Sequence, residues 1–197
     1  MDMKSYKAID KWAPEMKGVF TLPDLRVALD ENSEPTLYRK VAALVAEGAL
    51  IKVKRGIYAT PDASLATISG RIDPAAYIST GTVLAEKAVI GSIPARRVQA
   101  VKVGRPRTYR CELGTIEHLG VNPRLYFGFA ADSEIRTASP EKAFLDVCYF
   151  LYCGRRFSFD PVTDVNLERL DFDLVERYLK AYDTRFATFF NRHWRRP

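Results

Sequence analysis

The sequence has 197 residues, 47% of them hydrophobic and 27% charged, which is ordinary composition for one large globular domain or two smaller ones. Its net charge of +6 favours a polyanionic or acidic partner. The N-terminal residues lack the apolar core of a signal peptide, and no run of about 18 apolar residues could span a bilayer. We therefore expect a cytoplasmic protein with no membrane partner.

The first third of the chain shows helical patterns separated by turn residues. Apolar residues recur at helical spacing in residues 6–16. A second helix is expected after Thr21, a capping residue, with Pro23 just inside it. The polar stretch DENSEP then separates this helix from a third, which the sequence predicts to begin with Thr36 as its cap. This order is typical of a helix-turn-helix.

The third helix leads directly into a basic hairpin. Leu37, Val41 and Leu44 share one helix face, so the neighbouring polar residues of the first turns are free to point outward. After Gly48, residues 50–53 and 56–59 are strand-like runs joined by a basic turn. Together these features predict a winged helix-turn-helix domain over residues 1–62, whose third helix meets base edges and whose hairpin meets phosphates. The alternatives are a simple solvated helix-hairpin unit and a winged helix that binds protein instead of DNA.

Residues 61–74 are rich in Pro, Ser, Asp and Gly, as in a linker, and predict a domain boundary. A second domain, residues 75–197, should open with a helix capped by Ser79 or Thr80 and extending to Ile90. Between residues 97 and 138, polar and apolar residues alternate between Gly, Pro and Asn breaks, which predicts an antiparallel sheet with one buried face. VGRPR, residues 103–107, resembles the core of a minor-groove AT-hook, but its position between strands favours a hairpin turn.

The rest of the second domain is predicted to be helical. Ser139 and Pro140 begin a helix whose next residues, 143–151, are apolar almost all round, as in a central buried helix. Asp146 is the exception, and a lone Asp there indicates a buried partner. Residues 174–194 carry an aromatic stripe that predicts one long C-terminal helix. Its basic end is formed by Arg192, Arg195 and Arg196. The fold class is thus α+β, with helices covering the sheet.

No constellation of catalytic residues can be assembled. His118 and His193 are the only histidines, and no GxSxG, HExxH or glycine-rich phosphate loop accompanies them. The three cysteines have neither CxxC nor zinc spacing, which is typical of reduced thiols. We therefore expect a protein that is not an enzyme and has no cofactor and no metal.

Three stretches together resemble the AbiEi-type antitoxins of type IV toxin-antitoxin and abortive-infection systems, which act in phage defence. They are FTLPDL with LVAEGALIKVKRGIYAT, then AAYISTGTVLAEKAVI, then ASPEKAFLDVCYF, and their order covers nearly the whole chain. The resemblance implies an N-terminal domain that binds operator repeats and represses its own operon. It also implies a C-terminal domain that counteracts a nucleotidyltransferase-type toxin, by direct or indirect means.

The resemblance also suggests site residues. The DNA-binding positions carried over to this sequence lie at the start of the third helix and along the hairpin: Thr36, Tyr38, Arg39, Lys40, Lys52, Lys54, Arg55 and Tyr58. The candidate antitoxin surface consists of Glu141, Lys142 and Asp146, with core structure as the competing interpretation, and of the VGRPR arginines Arg105 and Arg107.

The expected partners are double-stranded operator DNA, the cognate toxin and a second copy of the chain on DNA. The alternative is a stand-alone regulator whose C-terminal domain senses a ligand or dimerises. The extended aromatic and basic tail, FATFFNRHWRRP, has no counterpart in the family pattern.

Overall fold

The computed structural model describes residues 3–130 and 135–194, and it is an α+β fold. The chain divides into two compact units. The first comprises the residues up to Pro74 together with Thr108–Ile116, and the second comprises Ala75–Arg107 and the residues from Glu117 onward. In the part of the chain that the structure describes, no helix is both long and apolar enough to cross a membrane.

The first unit begins with helices and strands in the order α1, β1, α2, α3, β2 and β3. Their bounds are α1 Met3–Met16, β1 Val19–Thr21, α2 Leu22–Ala28, α3 Glu34–Ala46, β2 Ile51–Lys54 and β3 Ile57–Ala59. The three strands form an antiparallel sheet in the order β1-β3-β2. Thr21 and Asp24 make a reciprocal capping box at the start of α2, which confirms the predicted cap.

The predicted cap of α3 is wrong by three residues. The helix begins at Glu34, with Ser33 as its cap residue, so Thr36 lies inside the first turn instead of capping it. Pro35 explains the difference. N–H groups in the first turn of a helix have no acceptor within the helix, so a proline, which has no N–H, is favourable there, and its φ is already helical. Leu37, Val41 and Leu44 are buried, as their spacing predicts. They pack with α1 and α2 residues in a core that includes Ile9, Phe20, Leu25, Leu29 and Leu50.

The segment predicted as a linker contains a helix, α4, Leu65–Ile72. The hydroxyl of Ser64 accepts a hydrogen bond from the N–H of Thr67, so the Ser that suggested a loop is a helix cap. Ile68 is fully buried in a second small core with Val19, Ala59 and Ile116. Because this helix packs on the β1-β3-β2 sheet, residues 61–74 belong to the first unit.

Gly70 lies in α4 with open space where a Cβ would stand. We expect Gly70→Ala to stabilise α4 by about 0.5–1 kcal/mol, because glycine loses the most backbone entropy in a helix. Hydrogen exchange of the α4 amides should slow by a factor of about two to five as a result. Gly18→Ala should do the opposite, because Gly18 has a φ of +71° and its Cβ would overlap the Thr60 hydroxyl. Unchanged α4 exchange in Gly70→Ala would contradict this expectation.

A six-stranded sheet runs through the middle of the chain. Its strands are β4 Tyr77–Ile78, β5 Arg97–Val103, β6 Arg107–Cys111, β7 Gly114–Val121, β8 Phe129–Ala130 and β9 Thr137–Ala138, in the order β6-β7-β5-β4-β9-β8. The sheet is mixed and not purely antiparallel, because Ile78 of β4 pairs in parallel with Thr137. The alternating RLYFGF run is mostly non-strand, since Pro123–Leu125 form a 3-10 turn that Asn122 caps.

The prediction of a hairpin turn at VGRPR is also wrong. VGRPR does connect β5 to β6, but β7 lies between these two strands in the sheet, so they are not hairpin partners. The connection from β5 to β6 therefore crosses β7. It can do so because Gly104 approaches Gly120 closely. A Cβ added at Gly120 would overlap the carbonyl oxygen of Gly104 and come within 3.2 Å of Cδ of Pro106.

The helices of the second unit are α5 Thr80–Glu86, α6 Pro140–Tyr152, α7 Phe172–Leu179 and α8 Thr184–His193. The buried central helix is confirmed, because nine of the residues of α6 are buried, and Ser139 caps it as predicted. The helix after Ser79 ends at Glu86, earlier than predicted. The single long C-terminal helix is instead two helices, because Asp183 caps a new start by accepting a hydrogen bond from the N–H of Phe186.

Candidate nucleic-acid interface

The start of α3 presents an aromatic and a basic side chain to solvent. Tyr38 is 45% exposed and Arg39 is exposed, whereas Leu37 and Val41 beside them are buried. Burial of the Leu37 face fixes the rotation of the helix and directs Tyr38 and Arg39 outward. Thr36, the other predicted contact on this turn, is half-buried.

Lys40 lies on the same helix but is engaged within the protein. Its Nζ is 2.8 Å from Oε2 of Glu31, in the turn between α2 and α3. The hydrogen bond from Lys40, helped by the Ser33 N–H, holds the pKa of the Glu31 carboxyl below its ordinary value. Lys40 therefore ties the turn to the helix, and its charge is already partly compensated.

The β2-β3 hairpin carries the remaining basic side chains of the predicted interface. Lys52 is exposed, Lys54 is half-buried and Arg55 is exposed at the turn, where Gly56 has a φ of +78°. Ile51 and Val53 alternate with the lysines and are buried, as expected for a strand with one face on a core. Among residues 3–130 and 135–194, no carboxylate forms an ion pair with any of these three basic residues, so their charge is available to an external anion.

Tyr58 does not belong to the interface, which corrects the sequence-based assignment. It is only 6% exposed and packs in the core of the first unit, opposite Lys52 in the strand register. Burial raises the pKa of its phenol, and the nearby Tyr38 hydroxyl adds to the effect. Tyr58 is thus a core residue that lies next to Lys52 across the strands and near Tyr38. The assignment is carried over from the family resemblance, and it fails because β3 is buried at every residue.

A mycobacterial protein of known structure shares this fold. The chain matches the crystal structure of the RV2827C protein from Mycobacterium tuberculosis with a TM-score of 0.62 and 14% sequence identity, over 97% of this chain and 77% of that one. At this identity the match shows the fold alone. No protein-family model matches the sequence, and no curated protein sequence matches it significantly.

Glu141, Lys142 and Asp146 form no surface, which corrects their assignment as candidate antitoxin contacts. They are 7%, 0% and 1% exposed, respectively. Lys142 and Asp146 form an ion pair one helical turn apart on α6. Glu141 accepts a hydrogen bond of 3.2 Å from the N–H of Asp171, just before α7. The competing interpretation of these three residues as core structure is correct.

The buried pair is completed by residues that the sequence did not indicate. Oδ2 of Asp146 accepts hydrogen bonds from the hydroxyls of Tyr77, at 3.0 Å, and Ser79, at 2.7 Å. Nζ of Lys142 donates to the Tyr182 hydroxyl at 3.1 Å and lies 4.8 Å from the centre of the Phe127 ring. Desolvation raises the pKa of the Tyr77 and Tyr182 phenols, so both stay neutral: Tyr77 donates to Asp146 and Tyr182 accepts from Lys142. This Lys142-Asp146 cluster joins β4, α6 and the loop before α8.

The VGRPR arginines, Arg105 and Arg107, are exposed and remain candidates for a partner surface. In the C-terminal tail, Arg192 is exposed at the end of α8, whereas Arg195 and Arg196 lie outside the described residues. Trp194 is buried and donates to the carbonyl of Pro161 at 2.9 Å, so the aromatic stripe belongs to the core. No group of three potential metal ligands is found within the described ranges.

Proposed function

We propose that this chain is a DNA-binding autorepressor and antitoxin. In this proposal the first unit contains a winged helix-turn-helix domain that binds operator DNA, and the second unit counteracts a nucleotidyltransferase-type toxin. The main support is the element order α1-β1-α2-α3-β2-β3 with strand order β1-β3-β2, since a winged helix requires a helix-turn-helix followed by a paired hairpin.

The exposed residues divide into two roles. Tyr38 and Arg39 occupy the start of α3, the part of a recognition helix that reaches base edges in the major groove. Lys52, Lys54 and Arg55 lie on the wing and neutralise backbone phosphates, which supplies affinity without sequence preference. Lys40 holds Glu31, so its contribution to DNA contact is secondary.

The antitoxin role follows from the family resemblance. With Glu141, Lys142 and Asp146 buried, the exposed arginines Arg105 and Arg107 are the basic candidates for contact with an acidic toxin surface. Because winged-helix repressors read operator repeats as pairs, we also propose that more than one copy of the chain binds the operator.

The DNA-binding half can be tested by fluorescence anisotropy with full-length protein, on its own upstream DNA and on scrambled DNA, over a range of salt concentrations. We expect Arg39→Ala combined with Lys54→Ala to weaken specific binding about 10- to 100-fold, because the two lost contacts contribute about 0.5–1.5 kcal/mol each. The slope of log K against log salt should fall by about one, because Lys54 is the phosphate contact of the two.

The matched control is Lys7→Ala combined with Lys11→Ala, which removes the same charge from exposed positions of α1. It should retain most of the affinity and the preference for upstream DNA. Equal affinities for the Arg39/Lys54 variant and the wild type would reject this interface. If the wild type does not prefer its own promoter, the regulator function itself is rejected.

A ligand-sensing regulator is the second candidate, and an arginine-lined cavity in the second unit favours it. Co-expression with a nucleotidyltransferase encoded beside the gene distinguishes the two. An antitoxin restores bacterial growth, whereas a stand-alone regulator leaves growth arrested.

A further inference from the structure

The arginine-lined cavity of the second unit is a concave and basic site, and its lining residues lie outside the Lys142-Asp146 cluster. It is a cavity of about 250 Å³ between the start of β5 and the segment that follows α6. Three arginines line it: Arg97 from β5, and Arg155 and Arg156 from the segment after α6. Ile93, Pro94 and Phe157 supply its apolar wall. Cavities for drug-sized ligands span about 300–1,000 Å³, so this one suits a smaller molecule.

One carboxylate compensates only part of this charge. Glu117, whose side chain is 14% exposed, lies 2.7 Å from Nη2 of Arg155 and 3.9 Å from Nη1 of Arg97. Arg156 has no hydrogen-bond or ion-pair partner among residues 3–130 and 135–194. Three guanidinium groups therefore face one carboxylate, which leaves an excess of two positive charges.

The orientation of Arg155 is held by its neighbours. Its guanidinium donates to Glu117 and lies 5.7 Å from the centre of the Phe157 ring. Gln99 in turn holds Glu117, because its Nε2 donates to Oε2 of Glu117 at 2.9 Å while its Oε1 accepts from the Thr80 hydroxyl at 2.8 Å. The site is thus arranged before any ligand arrives, which reduces the entropic cost of binding.

Arg155 also has a donor that the described protein atoms do not satisfy. Its Nε is buried and has no hydrogen-bond partner in the described part of the chain. A buried N–H without an acceptor is unfavourable, so an acceptor from outside the chain would relieve that cost. An anion that bridges Arg155 and Arg156 provides such an acceptor.

We propose that this pocket binds a small molecule that carries a phosphate monoester. A phosphate monoester bears close to two negative charges at neutral pH, which matches the charge excess of the pocket. Guanidinium groups match the geometry of phosphate oxygens, and the apolar wall accommodates an organic group attached to them. A concave site fits a small ligand better than the convex backbone of a DNA duplex. The site does not depend on the proposed DNA interface.

The test is a titration of the full chain with ribose 5-phosphate, and separately with inorganic phosphate, at constant ionic strength, followed by proton-nitrogen correlation spectra. We expect saturable shifts of the Arg155 Nε–H signal and of the backbone amides of residues 93–99 and 155–158. Arg156→Gln should raise the dissociation constant about tenfold or more, because it removes one charge-assisted contact. Since Arg156 has no described partner, this variant should fold normally.

Arg177→Gln is the matched control, because Arg177 is an exposed arginine of α7 in the same unit. It should bind ribose 5-phosphate as the wild type does. Linear, non-saturating shifts, or equal affinities of the Arg156→Gln variant and the wild type, would overturn the proposal. So would saturation of the pocket signals by a DNA duplex but by neither phosphate compound, which would make the pocket a nucleic-acid contact.

Discussion

Lys142→Met is expected to lower the free energy of unfolding of the second unit by about 3–5 kcal/mol. The substitution removes the cation but leaves Asp146, 1% exposed, with a buried and uncompensated carboxylate. It also removes the donor to Tyr182 and so loosens the link between α6 and the residues before α8. The loss of free energy of unfolding is larger than for a substitution that leaves no buried charge, because the remaining Asp146 carboxylate has no access to water.

The fluorescence of Trp194 can be used to measure this loss of stability. In a Trp12→Phe background it is the only tryptophan, and its burial in the second unit makes its fluorescence report on that unit in urea. Lys180→Met, at an exposed position of the same unit, should shift the transition little. Adding Asp146→Leu to Lys142→Met should recover part of the loss, since the pair is then absent. Equal urea midpoints of unfolding for Lys142→Met and Lys180→Met would contradict the expectation that the buried pair stabilises the second unit.

Gly120→Ala is expected to cost about 3 kcal/mol or more, the upper end for overpacking a filled site. The added methyl group meets the carbonyl of Gly104, a backbone atom that cannot rotate away as the end of a side chain would. Relief requires separation of β7 from the connection that leads to β6. The strain arises from close approach alone, because a positive φ is found at Gly104 and not at Gly120.

The same urea titration measures this effect. Gly91→Ala is the control, because a Cβ at Gly91 meets nothing within 4 Å. We expect the Gly91 variant to remain within about 0.5 kcal/mol of the wild type. A Gly120→Ala transition at the wild-type midpoint would show that the Gly104 connection shifts freely.

Local patterns predicted the local features. The capping box at Thr21, the buried face of α3, the hairpin of residues 51–59 and the start of α6 at Ser139 each depend on a few neighbouring residues. In each case the side-chain chemistry that selects the structure lies within one turn of it.

Features that depend on distant residues were not predictable in this way. Tyr58 is buried because it packs with Ile9 and Leu25 of distant helices, and Asp146 finds its donors at Tyr77 and Ser79, almost 70 positions earlier in the chain. Sequence spacing carries no signal for either. The arginine cavity is similar, since Arg97 and Arg155 both contact Glu117 although the three residues are far apart in the sequence.

The assignment of Thr108–Ile116 to the first unit has a consequence for synthesis of the protein. On the ribosome, residues up to Pro74 emerge without Ile116, which completes their second small core with Ile68 and Val19. The nascent first unit must therefore wait for more than 40 further residues before its last contacts form. A fragment that ends near residue 74 would lack Ile116 and so expose part of the apolar surface of Ile68 and Val19.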